Sequence, residues 1–237
     1  MGTVFSLTVR QLSGKWRLVI MAVLSLLPVV FTALVLSDDG TPFVDEFEVV
    51  VLSAMLAGSI VPLIVVAIAS VAFGNEVEDR TLANLTLSPL PRWQIVVPKL
   101  AASVAVAAPF VLGSAFFTSL LAFNRDWLAA GAVTTATFVG LLLYSSAFLW
   151  LGLVTRQAIA VGLAYIVLWE GFFSGFVSGI RFLSIRHYAT AWMHGIDPRR
   201  FAAEPHVGLG VAVVVSVAVF AVFVVLSTRS LRRMDVP

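Results

Sequence analysis

The chain reads as an all-α integral membrane protein. It has six transmembrane helices, an N-terminal amphipathic interfacial helix, and short outer re-entrant or interfacial helices before the last span. Three observations predict this. Hydrophobic residues fill 60% of the 237 positions and charged residues only 12%, about half the charge of a soluble domain. Mean hydropathy is +1.02. Apolar runs near the roughly 20 residues of a spanning helix recur along the chain, and none alternates with the period of two that marks a membrane β-strand.

The elements follow in order. Phe5, Val9, Leu12 and Trp16 recur at helical spacing with Arg10 and Lys15 elsewhere on the wheel, so residues 1–17 predict an amphipathic helix lying in the interface. Leu18–Leu36 is too long for a cleaved leader and lacks a small-residue cleavage site before Asp38, so it is read as a retained first span. Val49–Phe73, Leu100–Phe123, Trp127–Val154, Ala158–Gly179 and Val207–Thr228 supply the other five. Pro28, Pro62 and Pro109 fall within spans and mark expected kinks.

Orientation follows from the basic residues. Arg10, Lys15, Arg17, Arg80, Arg92, Lys99, Arg156, Arg229, Arg232 and Arg233 fall on one side, ten of the 15 Lys and Arg residues. Arg125, Arg181, Arg186, Arg199 and Arg200 fall on the other. The connection between the first two spans carries Asp38, Asp39, Asp45, Glu46 and Glu48 and no basic residue. Both termini and the 74–99 connection are therefore expected in the cytoplasm of a multi-pass protein of the cell membrane.

Several chemistries are excluded or demoted. With no cysteine there is no disulfide framework, thiolate nucleophile or sulfur metal site. A phosphate-binding loop is absent: Lys99 follows Pro98, and Lys15 follows Gly14 but precedes Trp16, with Val9 where the first glycine belongs. ATP-driven work would need another subunit, and the chain is not expected to be an enzyme. A net charge of +2 gives no reason to expect nucleic acid. His187, His194 and His206 share one connection, yet without sulfur or an i, i+4 pair they read as interfacial polar residues rather than a metal site.

Glu170 is the single ionisable group this reading buries in a span, and such a group marks function by default. The competing reading ends the span near Trp169 and leaves Glu170 wet. Gly171, Gly175 and Gly179 follow it at GxxxG spacing, suited to close helix packing or to a break into a re-entrant segment. The 180–206 connection mixes Arg181, Arg186, Arg199 and Arg200 with Phe182, Ile185, Tyr188, Trp192 and Met193, as interfacial helices capping the bundle would.

The most distinctive stretch is "FGNEVEDRTLANLTLSPLPRWQIVVPK", 73–99. Glu76, Glu78, Asp79 and Arg80 open it, and Asp79 or Thr81 can cap a short helix carrying Leu82 and Leu85. Pro89, after Ser88, stops that helix, and Pro91 can start the next. A short exposed helix with an apolar patch between two spans is a docking surface.

This stretch resembles the segment between the second and third spans of ABC-2 type transporter permeases. There a Glu, an acidic step, Thr-Leu, Leu-Ser-Pro and a later basic residue recur at this spacing. The resemblance implies one ABC-2 type transmembrane domain over 1–237 that pairs with two ABC ATPase subunits and a second permease copy in the lipid bilayer. ATP and Mg would be bound by the ATPase, with no cofactor in this chain. The 74–99 region would be the coupling loop, using Glu76, Glu78, Asp79, Arg80, Thr81, Leu82, Leu85 and Ser88, and 180–206 would be an outer gate. The expected role is export of a hydrophobic or amphipathic substrate. Two rivals stand beside it: a non-transporting membrane scaffold that recruits a cytoplasmic partner through 74–99, and an intramembrane hydrolase using Glu170, which lacks a second catalytic group.

Overall fold

A computed structural model describes residues 2–37, 44–78, 91–173, 184–203 and 207–233. Regular structure among them is entirely helical. Helix α1 spans Gly2–Leu12 and α2 spans Lys15–Ser37. Helix α3 (44–78) comes in pieces: a short α turn Val44–Phe47, a wide-turned π stretch Glu48–Ile60, then α segments Val61–Ala69 and Val71–Glu78. Helix α4 is Trp93–Ala122 and α5 is Trp127–Val154. Helix α6 begins as Ala158–Ala164 and turns π over Tyr165–Phe173. Helix α7 is Ile185–Ile196 and α8 is Leu209–Arg233.

Among the described residues, five helices are long and apolar enough to cross a membrane: α2, Glu48–Gly74 within α3, α4, α5 and α8. The fifth expected span starts at Ala158 as anticipated, but its described helix ends at Phe173, about 24 Å long and short of a full crossing. The fourth span, Trp127–Val154, has the bounds expected of it.

Two starts differ from expectation. Helix α1 ends at Leu12, where the Ser13 hydroxyl turns back onto the Val9 carbonyl at 2.6 Å. Trp16 therefore belongs to α2 and is 80% exposed, so it does not share one face with Phe5, Val9 and Leu12. Of those three, Leu12 is fully buried, Val9 packs against the core and Phe5 is exposed. Helix α4 begins at Trp93, close to the start that Pro91 offers and seven residues ahead of the expected span Leu100–Phe123. That places Lys99 about 9 Å inside the helix.

Helix α5 is the hub. It packs against α3, α4, α6, α7 and α8, while α2 leans on α4 and the π stretch of α3. Glycines set the closest approaches. A Cβ at Gly152 would lie 2.1 Å from the Ser70 carbonyl oxygen, and one at Gly162 would lie 2.3 Å from a Val66 methyl. The C-terminal half of α3 is thereby gripped by α5 and α6. Ser70 also marks a break in α3, where its hydroxyl turns back onto the Val66 carbonyl. The faces of α2 and α8 away from the bundle stay exposed and apolar, as in Val19, Val23, Val214 and Val217.

Candidate functional site

Two polar junctions stand out, one at each end of the bundle. The first lies where α3 ends and α4 begins, the two helix ends that flank 79–90. Glu76 on α3 and Lys99 on α4 form an ion pair at 2.5 Å. The Lys99 ammonium also donates to the Ala72 carbonyl at 2.5 Å and lies 4.4 Å from the centre of the Phe73 ring. Lys99 is only 1% exposed. A lysine that deep needs a counter-charge and acceptors, and it finds both on one turn of α3. Helix α1 packs against α4 and against the Val71–Glu78 segment, so three elements meet here.

Glu76 is thus placed within the expected coupling region but directed at α4. The end of α3 reaches Glu78. Asp79, Arg80, Thr81, Leu82, Leu85 and Ser88 lie outside the described residues, as does the side chain of Glu78.

The second junction is at the opposite end, beneath α7. Glu170 is 0% exposed, enclosed by neighbouring protein groups. Its carboxylate accepts from the Tyr165 hydroxyl at 2.9 Å, the Ser184 hydroxyl at 2.5 Å and the Ile185 backbone N–H at 3.0 Å. Ser184 is at the same time the N-cap of α7, accepting from the His187 N–H at 3.3 Å. The carboxylate therefore lies at the positive end of a helix, where negative charge is favoured. Glycine 171 follows within the π stretch, and Gly175 and Gly179 lie outside the described residues.

A second buried glutamate mirrors it. Glu48 opens the π stretch of α3, is buried, and accepts the Ala203 N–H at 3.1 Å. Segment 184–203 is thus held at both ends by carboxylates, each on a π stretch, and the two π stretches pack against each other. Further ties are the Arg200–Asp126 ion pair at 2.9 Å and the ring contacts of Phe123 with Phe47 and Phe201 at 5.6 and 5.5 Å. Arg186 lies over Gly58, whose missing side chain leaves it room. Two arginines of this connection, Arg186 and Arg200, therefore pack within the cap. His194 turns its Nδ1 to the Phe201 carbonyl, and His206 lies outside the described residues.

Sequence reasoning counted Glu170 alone as buried in a span. Lys99 and Glu48 join it. Glu48 was assigned to a wet acidic connection, although its position directly before an unbroken apolar run was a signal. Lys99 flanks the apolar run Leu100–Phe123 in the sequence, and only the packing of its helix against α3 shows it buried.

A family model described as ABC-2 family transporter protein matches residues 10–185. The match runs from the end of α1 through α6 to the first residue of α7. No curated protein matches the chain.

Proposed function

Since this chain belongs to the ABC-2 transporter family and is a multi-pass membrane permease, we propose that it is the transmembrane subunit of an ATP-driven exporter. Separate ATPase subunits would dock on the cytoplasmic 74–99 region, with a second permease copy completing the complex. The observation that carries this reading is the Glu76–Lys99 junction. It welds the end of α3 to the start of α4 on either side of 79–90, and α1 packs on both. A push delivered to that connection would be taken up by three helices at once rather than absorbed by a loose turn. The Gly152 and Gly162 contacts would then pass the motion from α3 to α5 and α6.

The scarcity of charge among the spans favours a hydrophobic or amphipathic substrate, and the buried charges described are engaged internally by an ion pair or by hydrogen bonds. The test is purification of the full chain from its own membranes with whatever binds it. A co-purifying P-loop ATPase is expected. Reversing charge with Glu78→Lys and Arg80→Glu should release that ATPase or uncouple its hydrolysis from transport. A complex without any such ATPase, or coupling untouched by both reversals, would overturn the proposal.

A further inference from the structure

A cavity of about 470 Å³ lies between α5, α6, α7 and α8. Its wall includes Ala147 and Trp150 of α5, Val161 of α6, Tyr188 of α7, and Val219 and Phe223 of α8. The volume falls in the range of small-molecule sites, about 300–1,000 Å³. None of its described lining residues is charged. Three hydroxyls in the wall are already engaged: Tyr165 and Ser184 donate to Glu170, and Ser216 accepts the Trp192 indole N–H at 3.2 Å. A polar ligand or a file of water would find little to replace its lost hydrogen bonds there.

The shape and the opening point the same way. From Leu143 to Leu151 on α5, and from Val215 to Phe223 on α8, the wall runs about 12 Å along the helices. It is a slot parallel to two membrane-crossing helices. Helices α6 and α8 both adjoin this region but, over their described residues, have no substantial packing against each other. Val161 on one side and Val214 and Val217 on the other are exposed. In a multi-pass membrane protein, a gap between exposed apolar helix faces opens onto lipid. A void of this size gives up dispersion contacts along its whole lining if left empty.

We propose that this cavity binds one hydrocarbon chain of a membrane phospholipid, which enters sideways between α6 and α8 and lies along α5. The end of the slot nearest α7 is closed by the residues that hold Glu170, so an occupant there would bear on the Tyr165–Ser184–Glu170 junction. The site lies within a single copy of the chain and does not depend on ATPase docking.

The experiment uses the full chain reconstituted in nanodiscs of dimyristoylphosphatidylcholine, then released into detergent and weighed by native mass spectrometry without ATP or ATPase. One retained phospholipid per chain is expected, and its mass should shift when dioleoylphosphatidylcholine replaces the first lipid. Ala147→Phe and, separately, Val219→Phe fill the slot and should lower retention at least about tenfold, the loss expected when two buried methylenes are excluded. Gly113→Phe, in the separate groove between α2 and α4, should leave retention unchanged. Unaltered helicity and elution identify variants that fold. Equal retention in folded Ala147→Phe and Val219→Phe would overturn the proposal. So would a wild-type adduct of detergent mass only, a readout that needs no variant.

Discussion

At the scale of residues, the Glu76–Lys99 pair makes an asymmetric prediction. Lys99 is almost wholly enclosed, whereas the Glu76 side chain keeps 18% of its surface exposed. Glu76→Gln removes the counter-charge and leaves a buried ammonium with only neutral acceptors and a ring, and should destabilise the protein by about 4 kcal/mol. Lys99→Met leaves a carboxylate that can still reach water, and should cost about 2 kcal/mol. The double variant removes both charges and leaves an apolar Met at the buried position, so it should be more stable than Glu76→Gln alone. Thermal melts of the three purified variants check the order, and a larger loss for Lys99→Met would refute it. The sequence named Glu76 and Lys99 as the first glutamate and last lysine of one motif. What it left hidden was that they meet, because their separation is bridged by folding and not by helical periodicity. Glu170 was legible as a rare charge in an apolar run. Its partners Ser184 and Ile185 were not, since they arrive from beyond a long connection.

At the scale of elements, the glycines separate packing from propensity. A Cβ at position 152 meets the Ser70 backbone, which cannot rotate away, so Gly152→Ala must part α5 from α3. A loss of about 3 kcal/mol is expected. At 162 the nearest obstacle is a Val66 methyl, a side chain that can yield part of the space, so Gly162→Ala should be milder. Gly113 has nothing within 4 Å of its virtual Cβ, and Gly113→Ala should stabilise α4 by up to about 1 kcal/mol through propensity alone. Melting temperatures in one detergent rank the three, and a Gly152→Ala protein as stable as Gly113→Ala would remove the close-contact argument. Long uniform elements such as α5 were fully legible, bounded by the Asp126 cap at one end and the polar Thr155–Gln157 turn at the other. The π stretches were not. Their wider turns depend on how α3 and α6 pack beneath 184–203, and hydropathy averaged over a run does not register the pitch of its turns.

At the scale of the molecule, the fold supplies an argument about sidedness that is independent of counting charges. Helix α1 packs at the α3–α4 junction, so the start of the chain and the ends flanking 79–90 share one side. Leu209 packs on Gly195 under the cap, and α8 then extends about 37 Å, which carries Arg233 to the side of α1. The turn at Arg156 and Gln157 lies there too, between the ends of α5 and α6. Arg125, Arg199 and Arg200 lie on the other side, with Arg200 tied to Asp126. Among the described residues, the basic side chains named here divide along the same line that the helix packing draws, apart from Lys99, which is consumed by Glu76. The chain contains no cysteine, so single cysteines can be read without background. Gln157→Cys and Arg232→Cys should react with a membrane-impermeant maleimide only after cells are opened, and Arg125→Cys and Arg199→Cys in intact cells. The last pair carries the most information. Because the described part of α6 is shorter than a crossing, Arg199 lies opposite Gln157 only if 158–183 as a whole traverses the bilayer. Labelling of Arg199→Cys from the same side as Gln157→Cys would reduce the fold to five crossings and leave α7 without its place as an outer cap.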